Sequence, residues 1–168
     1  MSKIPIVKLP DPLLRDVSTP VERIDAPLLR LADDMLETMY GAPGVGLAAI
    51  QVGVAKRLVV LDVSKDVNAR KPLVMVNPEI VALGDEKRVY EEGCLSIPDV
   101  HVEIERPATV TVRFTDRDGR PQELSADGLL ATAIQHEIDH LDGRLIIDFL
   151  SRLKRDIIVR RLKKAARG

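Results

Sequence analysis

Apolar residues recur at different spacings along this chain, and each spacing predicts a different element. Leu28, Leu31, Ala32, Met35, Leu36 and Met39 fall three or four apart, the period of a helix with one buried face. Asp25-Ala26-Pro27 precedes that run as a cap and a first-turn proline, and Gly41 follows it as a stop. Residues 58–63, apolar but for Asp62, and 73–76 predict strands, with a mostly polar loop, 64–72, between them. Val110, Val112 and Phe114 alternate with Thr111, Arg113 and Thr115, as in a half-buried strand, and Asp118-Gly119 supplies a hairpin turn. Further on, Asp127 opens and Asp142-Gly143 closes a second helical pattern with two apolar stripes. One stripe is Leu130, Ile134, Ile138 and Leu141; the other is Leu129, Thr132, Ala133, His136 and His140. A helix apolar on two sides runs through a core. Strands fill the middle of the chain and helices its ends. The expected class is therefore α+β, with antiparallel sheets packed around a central helix and a C-terminal helix. No linker, repeat or low-complexity segment interrupts the 168 residues. They suit one domain spanning 1–168, a size at which roughly 70% of the unfolded surface is buried.

Composition narrows the function classes. The net charge of −1 gives no global field favouring nucleic acid, and aromatics at 2% with no Trp argue against base-stacking platforms. One cysteine excludes an intramolecular disulfide framework. No stretch is apolar and long enough to span a membrane, and the N-terminal residues lack a long apolar core. The expectation is a cytoplasmic protein in a reducing compartment; an organelle protein trimmed of its transit peptide would look the same.

The second helix carries the chemistry. In Gln135-His136-Glu137-Ile138-Asp139-His140 two imidazoles stand four residues apart and project from nearly the same helix face, so both can bind one metal ion. Glu137 points about a third of a turn away. That suits a base for a water activated by the ion and does not suit a third ligand. Water on zinc falls in pKa from about 15.7 to about 7, so the pattern predicts metal-assisted hydrolysis. Beyond His140 there is no His and no Glu, which excludes a third ligand of either type from downstream. Asp142 follows too closely to fold back onto the same ion. Asp148 is one remaining candidate. The other is Cys94, in the strand-like, glycine-interrupted segment Tyr90-Glu91-Glu92-Gly93-Cys94-Leu95-Ser96-Ile97-Pro98. Alone, a single Cys reads as a small buried hydrophobe. Beside a two-histidine motif short of a ligand, its thiolate is the better reading, since sulfur suits iron or zinc.

A third segment, Gly44-Val45-Gly46-Leu47-Ala48-Ala49-Ile50-Gln51, places glycines where a backbone approaches something closely or takes positive φ. It lacks the third glycine of a dinucleotide site. Taken in order, Gly44 to Gln51, Glu92 to Ser96 and Gln135 to His140 resemble the three signature segments of the peptide deformylase family without a mismatch. The resemblance runs from Leu9-Pro10-Asp11-Pro12-Leu13-Leu14-Arg15 to the basic C-terminal segment, whose length resembles the family's type 1, bacterial-type branch.

The resemblance implies removal of the N-formyl group from formylmethionine at the start of new polypeptides, with release of formate. It implies Cys94, His136 and His140 as metal ligands and Glu137 as the base. The Gln51 side-chain amide and the Leu95 backbone N–H become oxyanion donors. Leu129 and Ala133 precede His136 on its own helix face and can line a pocket. There the resemblance puts the methionine side chain, with Val45, Tyr90 and Glu92 nearby and the Gly46 backbone pairing the substrate as an added strand. The family's usual ion is iron(II), with zinc, nickel or cobalt as substitutes.

Around this core, Asp139 reads as a brace for a ligand, an ion pair with Arg106 or a solvated helix charge; Glu91 reads as surface, and His101 as a cleft rim residue. Residues 151–168 carry Arg152, Lys154, Arg155, Arg160, Arg161, Lys163, Lys164 and Arg167 against Asp156 alone. Leu150, Leu153 and Ile157 form the apolar stripe expected to dock this helix. The resemblance adds a partner for the basic face, the ribosome near its exit tunnel, and clustered Lys and Arg suit phosphate. The chain itself is expected to be a monomer.

Overall fold

The computed structural model describes residues 2–167. Helix α1 (Ala26–Gly41) starts as the sequence predicts: the Asp25 side chain accepts the Leu28 N–H at 3.0 Å. Strands β1 (Gly46–Ala48), β2 (Leu58–Leu61), β3 (Leu73–Leu83), β6 (Thr109–Thr115) and β7 (Pro121–Asp127) follow. They form one antiparallel five-stranded sheet in the order β1-β2-β3-β6-β7. Strands β4 (Lys87–Cys94) and β5 (Ile97–Pro107) pair as a separate antiparallel ribbon. Helix α2 (Gly128–Leu141) lies among them, in contact with β1, β2, β5, β6 and β7. Helix α3 (Arg152–Arg167) ends the described chain.

Alternation explains why the sheet is filled on both sides. Along β1 and β2, Ala48, Val59 and Leu61 pack towards α2, while Leu47, Leu58 and Val60 pack towards α1. A third cluster, built on Leu14, Ile97, Val102, Ile104 and Ile146, seats the ribbon. The α+β architecture with a central helix and a C-terminal helix is the one expected.

Boundaries differ from expectation in two places, each for a local reason. Strand β2 stops at Leu61, because Asp62 turns its carboxylate to the Tyr40 hydroxyl (2.5 Å) and to Ser64. Strand β3 runs on to Leu83 instead of ending at Val76; Asn77, with φ +52, and Pro78 make an irregularity that the strand survives. Asp127 occupies the cap position of α2, yet its side chain makes no capping bond. The stop at Gly143 is as expected: φ is +76, and a Cβ there would stand 2.4 Å from the Arg15 carbonyl oxygen.

The docking face of α3 is a correction. Leu153 is 71% exposed and Ile157 46%, whereas Ile158, Val159 and Leu162 rest on the third cluster, with Leu150 just before the helix. The expected stripe shares one helix face, but the chain enters the helix rotated so that the adjacent face meets the core.

Candidate metal centre

Helix α2 and the β4–β5 ribbon meet at the three predicted ligands. The ring Nε2 atoms of His136 and His140 lie 3.1 Å apart, and Cys94 Sγ lies 3.4 Å from His140 Nε2. Ligands around a tetrahedral ion with bonds of about 2.0–2.1 Å to nitrogen and 2.3 Å to sulfur stand roughly 3.3–3.6 Å apart. The donor set therefore fits one metal ion. Among the described residues this is the one group of three or more His, Cys, Asp or Glu side chains close enough to share an ion. Asp148 is removed from consideration: Arg15 holds both its oxygens, at 2.6 and 2.9 Å, and the Leu145 N–H binds it as well.

Electrostatics agree with this geometry. Facing nitrogens at 3.1 Å can share one proton or one cation but cannot both be protonated. Burial disfavours charge on both rings. Glu137, Cys94 and Glu92 nonetheless hold His136 well above the usual imidazole range, while burial and the charge on His136 hold His140 well below it. Metal would take the place of that shared proton.

Glu92 and Arg106 fix the first imidazole. His136 Nδ1 donates to Glu92 Oε1 at 3.0 Å, which aims Nε2 at the site. Arg106 then grips Glu92 through Nε (2.7 Å) and Nη2 (3.0 Å), and reaches Asp139 through Nη1 (2.8 Å). Burial alone would raise the Glu92 carboxyl; the bonds from His136 and Arg106 outweigh it and hold the group below the usual range. Removing one member of such a buried pair typically costs about 3–5 kcal/mol. Asp139 thus takes the ion-pair reading, and Glu92, although it lines the cleft, commits both oxygens behind His136.

Glu137 is 4% exposed, and its Oε1 has no hydrogen-bond partner. Its other oxygen explains Gly46, where a Cβ would stand 2.6 Å from Oε2. Likewise a Cβ on Gly44 would stand 2.8 Å from the Leu95 side chain. Close approach, not positive φ, is the reason for both glycines. Burial pushes the Glu137 carboxyl up to about 7, with Glu92 and Asp139 adding to the push and His136 opposing it. A group poised there can both take and return a proton near neutrality.

Gln51 sits on a short 3-10 turn after β1. Its carbonyl oxygen accepts the Ala48 N–H (2.9 Å), which turns the amide nitrogen towards Ser96 Oγ (3.0 Å) and Cys94 Sγ (3.6 Å). Leu95 follows Cys94 and packs against α1's cluster. Val45, Gly46, Tyr90, Glu92, Leu129 and Ala133 all line one cleft of about 530 Å³, together with Gln51, Cys94, His136 and Glu137. That volume is typical of a small-ligand site. Strand β1 is the edge of its sheet here. The Val45 carbonyl accepts the Asp62 N–H (2.9 Å), so the groups of Gly46, one residue on, face the opposite way, towards the cleft. His101 is exposed on the rim, beside Gly93.

Two residues have a place at the site that the sequence patterns showed only in part. Arg106 is an expected candidate partner of Asp139, but not of Glu92, to which its pairing opposite Arg88 and the packing of β5 on α2 bring it. Thr132 lines the cleft as well, and its place one turn before His136 was the available signal.

Comparison with known proteins covers nearly the whole chain. The polypeptide deformylase family model matches residues 3–156. The peptide deformylase of Rhizobium meliloti is 63% identical over 163 residues, covering 97% of this chain and 94% of that protein. That of Agrobacterium fabrum is 58% identical, covering 98% and 96%. Among solved structures, the Ehrlichia chaffeensis peptide deformylase in complex with actinonin superposes with a TM-score of 0.94 at 41% identity, covering all of both chains. The Legionella pneumophila enzyme gives 0.90 at 46%, covering 99% and 96%. A family match over residues 3–156, with a relative 63% identical over 97% of the chain, places this protein in the peptide deformylase family.

Proposed function

We propose that Cys94, His136 and His140 hold one divalent metal ion, and that with it the chain hydrolyses the formyl amide of N-formylmethionyl polypeptides, releasing formate. The observation that carries this reading is the convergence of the three donor atoms beside a buried carboxylate with an unpartnered oxygen. When bound, the ion supplies Lewis-acid polarisation and a water of lowered pKa. Glu137 takes a proton from the attacking water and delivers one to the departing amine. The Gln51 amide and the Leu95 N–H donate to the developing oxyanion; losing one such donor typically costs about 100- to 1,000-fold in rate. The methionine side chain lies between Val45, Tyr90, Leu129 and Ala133, and the Gly46 backbone pairs the peptide as an added strand. A thiolate with two imidazoles suits iron(II) as well as zinc. We assign iron(II) as the resident ion, with zinc, nickel or cobalt as substitutes.

The test is formate release by anaerobically purified protein. A formyl-Met-Ala peptide is expected to yield formate, while a peptide blocked at both ends stays intact. Cleavage at internal bonds without formate would make the chain an endopeptidase instead.

No helix among the described residues is long and apolar enough to cross a membrane. We place the protein in the cytoplasm as a monomer that visits the ribosome near the exit tunnel through α3. The support is the charge of that helix, whose last turn carries Lys164 and Arg167 and whose docking residues leave Arg160, Arg161, Lys163 and Lys164 exposed. Reversing the charge of those four is expected to weaken ribosome co-sedimentation and flatten its salt dependence, with hydrolysis of short peptides unchanged. Unchanged co-sedimentation would reduce α3 to a structural element.

A further inference from the structure

We propose that Thr132 is a specificity-determining residue whose hydroxyl donates to the thioether sulfur of the substrate's first side chain, so that the cleft selects sulfur over a methylene. This rests on the reading above that the methionine side chain enters the cleft along α2. Thr132 is 6% exposed and lines the cleft. A helical threonine ordinarily satisfies its hydroxyl on the carbonyl one turn back, as Thr38 does in α1, donating to the Asp34 carbonyl at 2.7 Å. Among the described residues the Thr132 hydroxyl makes no such bond, and it is not one of the fully buried unpartnered atoms, so it is open to the cleft that Thr132 lines.

A hydroxyl open to the cleft loses its water when a side chain fills that space and then needs another partner. Of the lining side chains, Val45, Leu95, Leu129 and Ala133 are apolar, and the Glu92 oxygens are held by Arg106 and His136. We assign the acceptor to the ligand. Thr132 stands one helical turn before His136, about 5.4 Å along the axis. That is of the same order as the span from a methionine's amide nitrogen to its sulfur. Sulfur is the only heteroatom of that side chain, and a thioether accepts a weak hydrogen bond.

The experiment compares kcat/KM for a formyl-methionyl peptide and its formyl-norleucyl counterpart, in which CH2 replaces sulfur. The wild-type chain is expected to favour methionine about five-fold, the size of one neutral hydrogen bond. Thr132→Val keeps the shape and removes the donor, so its ratio should fall to near one. Thr132→Ser keeps the donor and should keep the preference. A valine variant with the wild-type ratio would overturn the proposal. If the wild-type chain released formate from neither peptide, the hydrolytic reading itself would fall, and this inference with it.

Discussion

Replacing Glu137 by glutamine is expected to lower formate release by at least about 100-fold, the usual contribution of a positioned general base. The change is close to isosteric. The side chain still packs on Gly46, where no Cβ intervenes, and one oxygen remains to face the cleft. What is lost is the capacity to take and return a proton. The fall belongs in kcat, because the substrate's pairing with Gly46 and the walls of the cleft is untouched. Metal content should stay at the wild-type level, since Glu137 is not part of the ligand cluster. Measuring formate and metal on one preparation separates the two effects. A glutamine variant with substantial turnover would remove Glu137 from the chemistry.

Cys94→Ala should lose both metal and activity. Two imidazoles one turn apart make a weak chelate, and no other donor can take the vacant place: Asp148 is bound by Arg15, and Glu92 by Arg106 and His136. Folding should persist, because the side chain is small and only partly buried at the end of β4. Elemental analysis of anaerobically purified variant is the check, and full occupancy would mean that Cys94 is not a ligand. Peroxide should inactivate an iron-loaded wild-type chain by attacking iron or thiolate, while a nickel- or zinc-loaded one survives longer.

What could be read beforehand was whatever lies close in sequence. The His136–His140 spacing, the Asp25 cap and the alternation of Val110, Val112 and Phe114 are each set by one period of one element. Contacts made by tertiary register left no such trace. The Arg106–Asp139 pair is one of three sequence readings of Asp139, but the grip of Arg106 on Glu92, and through it on His136, comes from strand pairing that no local pattern shows. Asn77-Pro78 reads locally as a break, yet pairing with β6 carries β3 past it. In α3, Leu153–Ile157 and Ile158–Leu162 are both apolar pairs four residues apart, so periodicity alone could not decide which one docks.

The five-stranded sheet stops at β1, with the groups of Gly46 turned to open space. On the reading proposed here, the missing sixth strand is delivered by the customer and leaves with it. Such a partner must arrive extended, with its first peptide groups not yet spoken for. Once a new polypeptide has tucked its amino end into its own helix or sheet, it can no longer fill the gap. Formyl removal therefore runs against a clock set by the folding of the product, and slow-folding amino ends are the ones that can be served late.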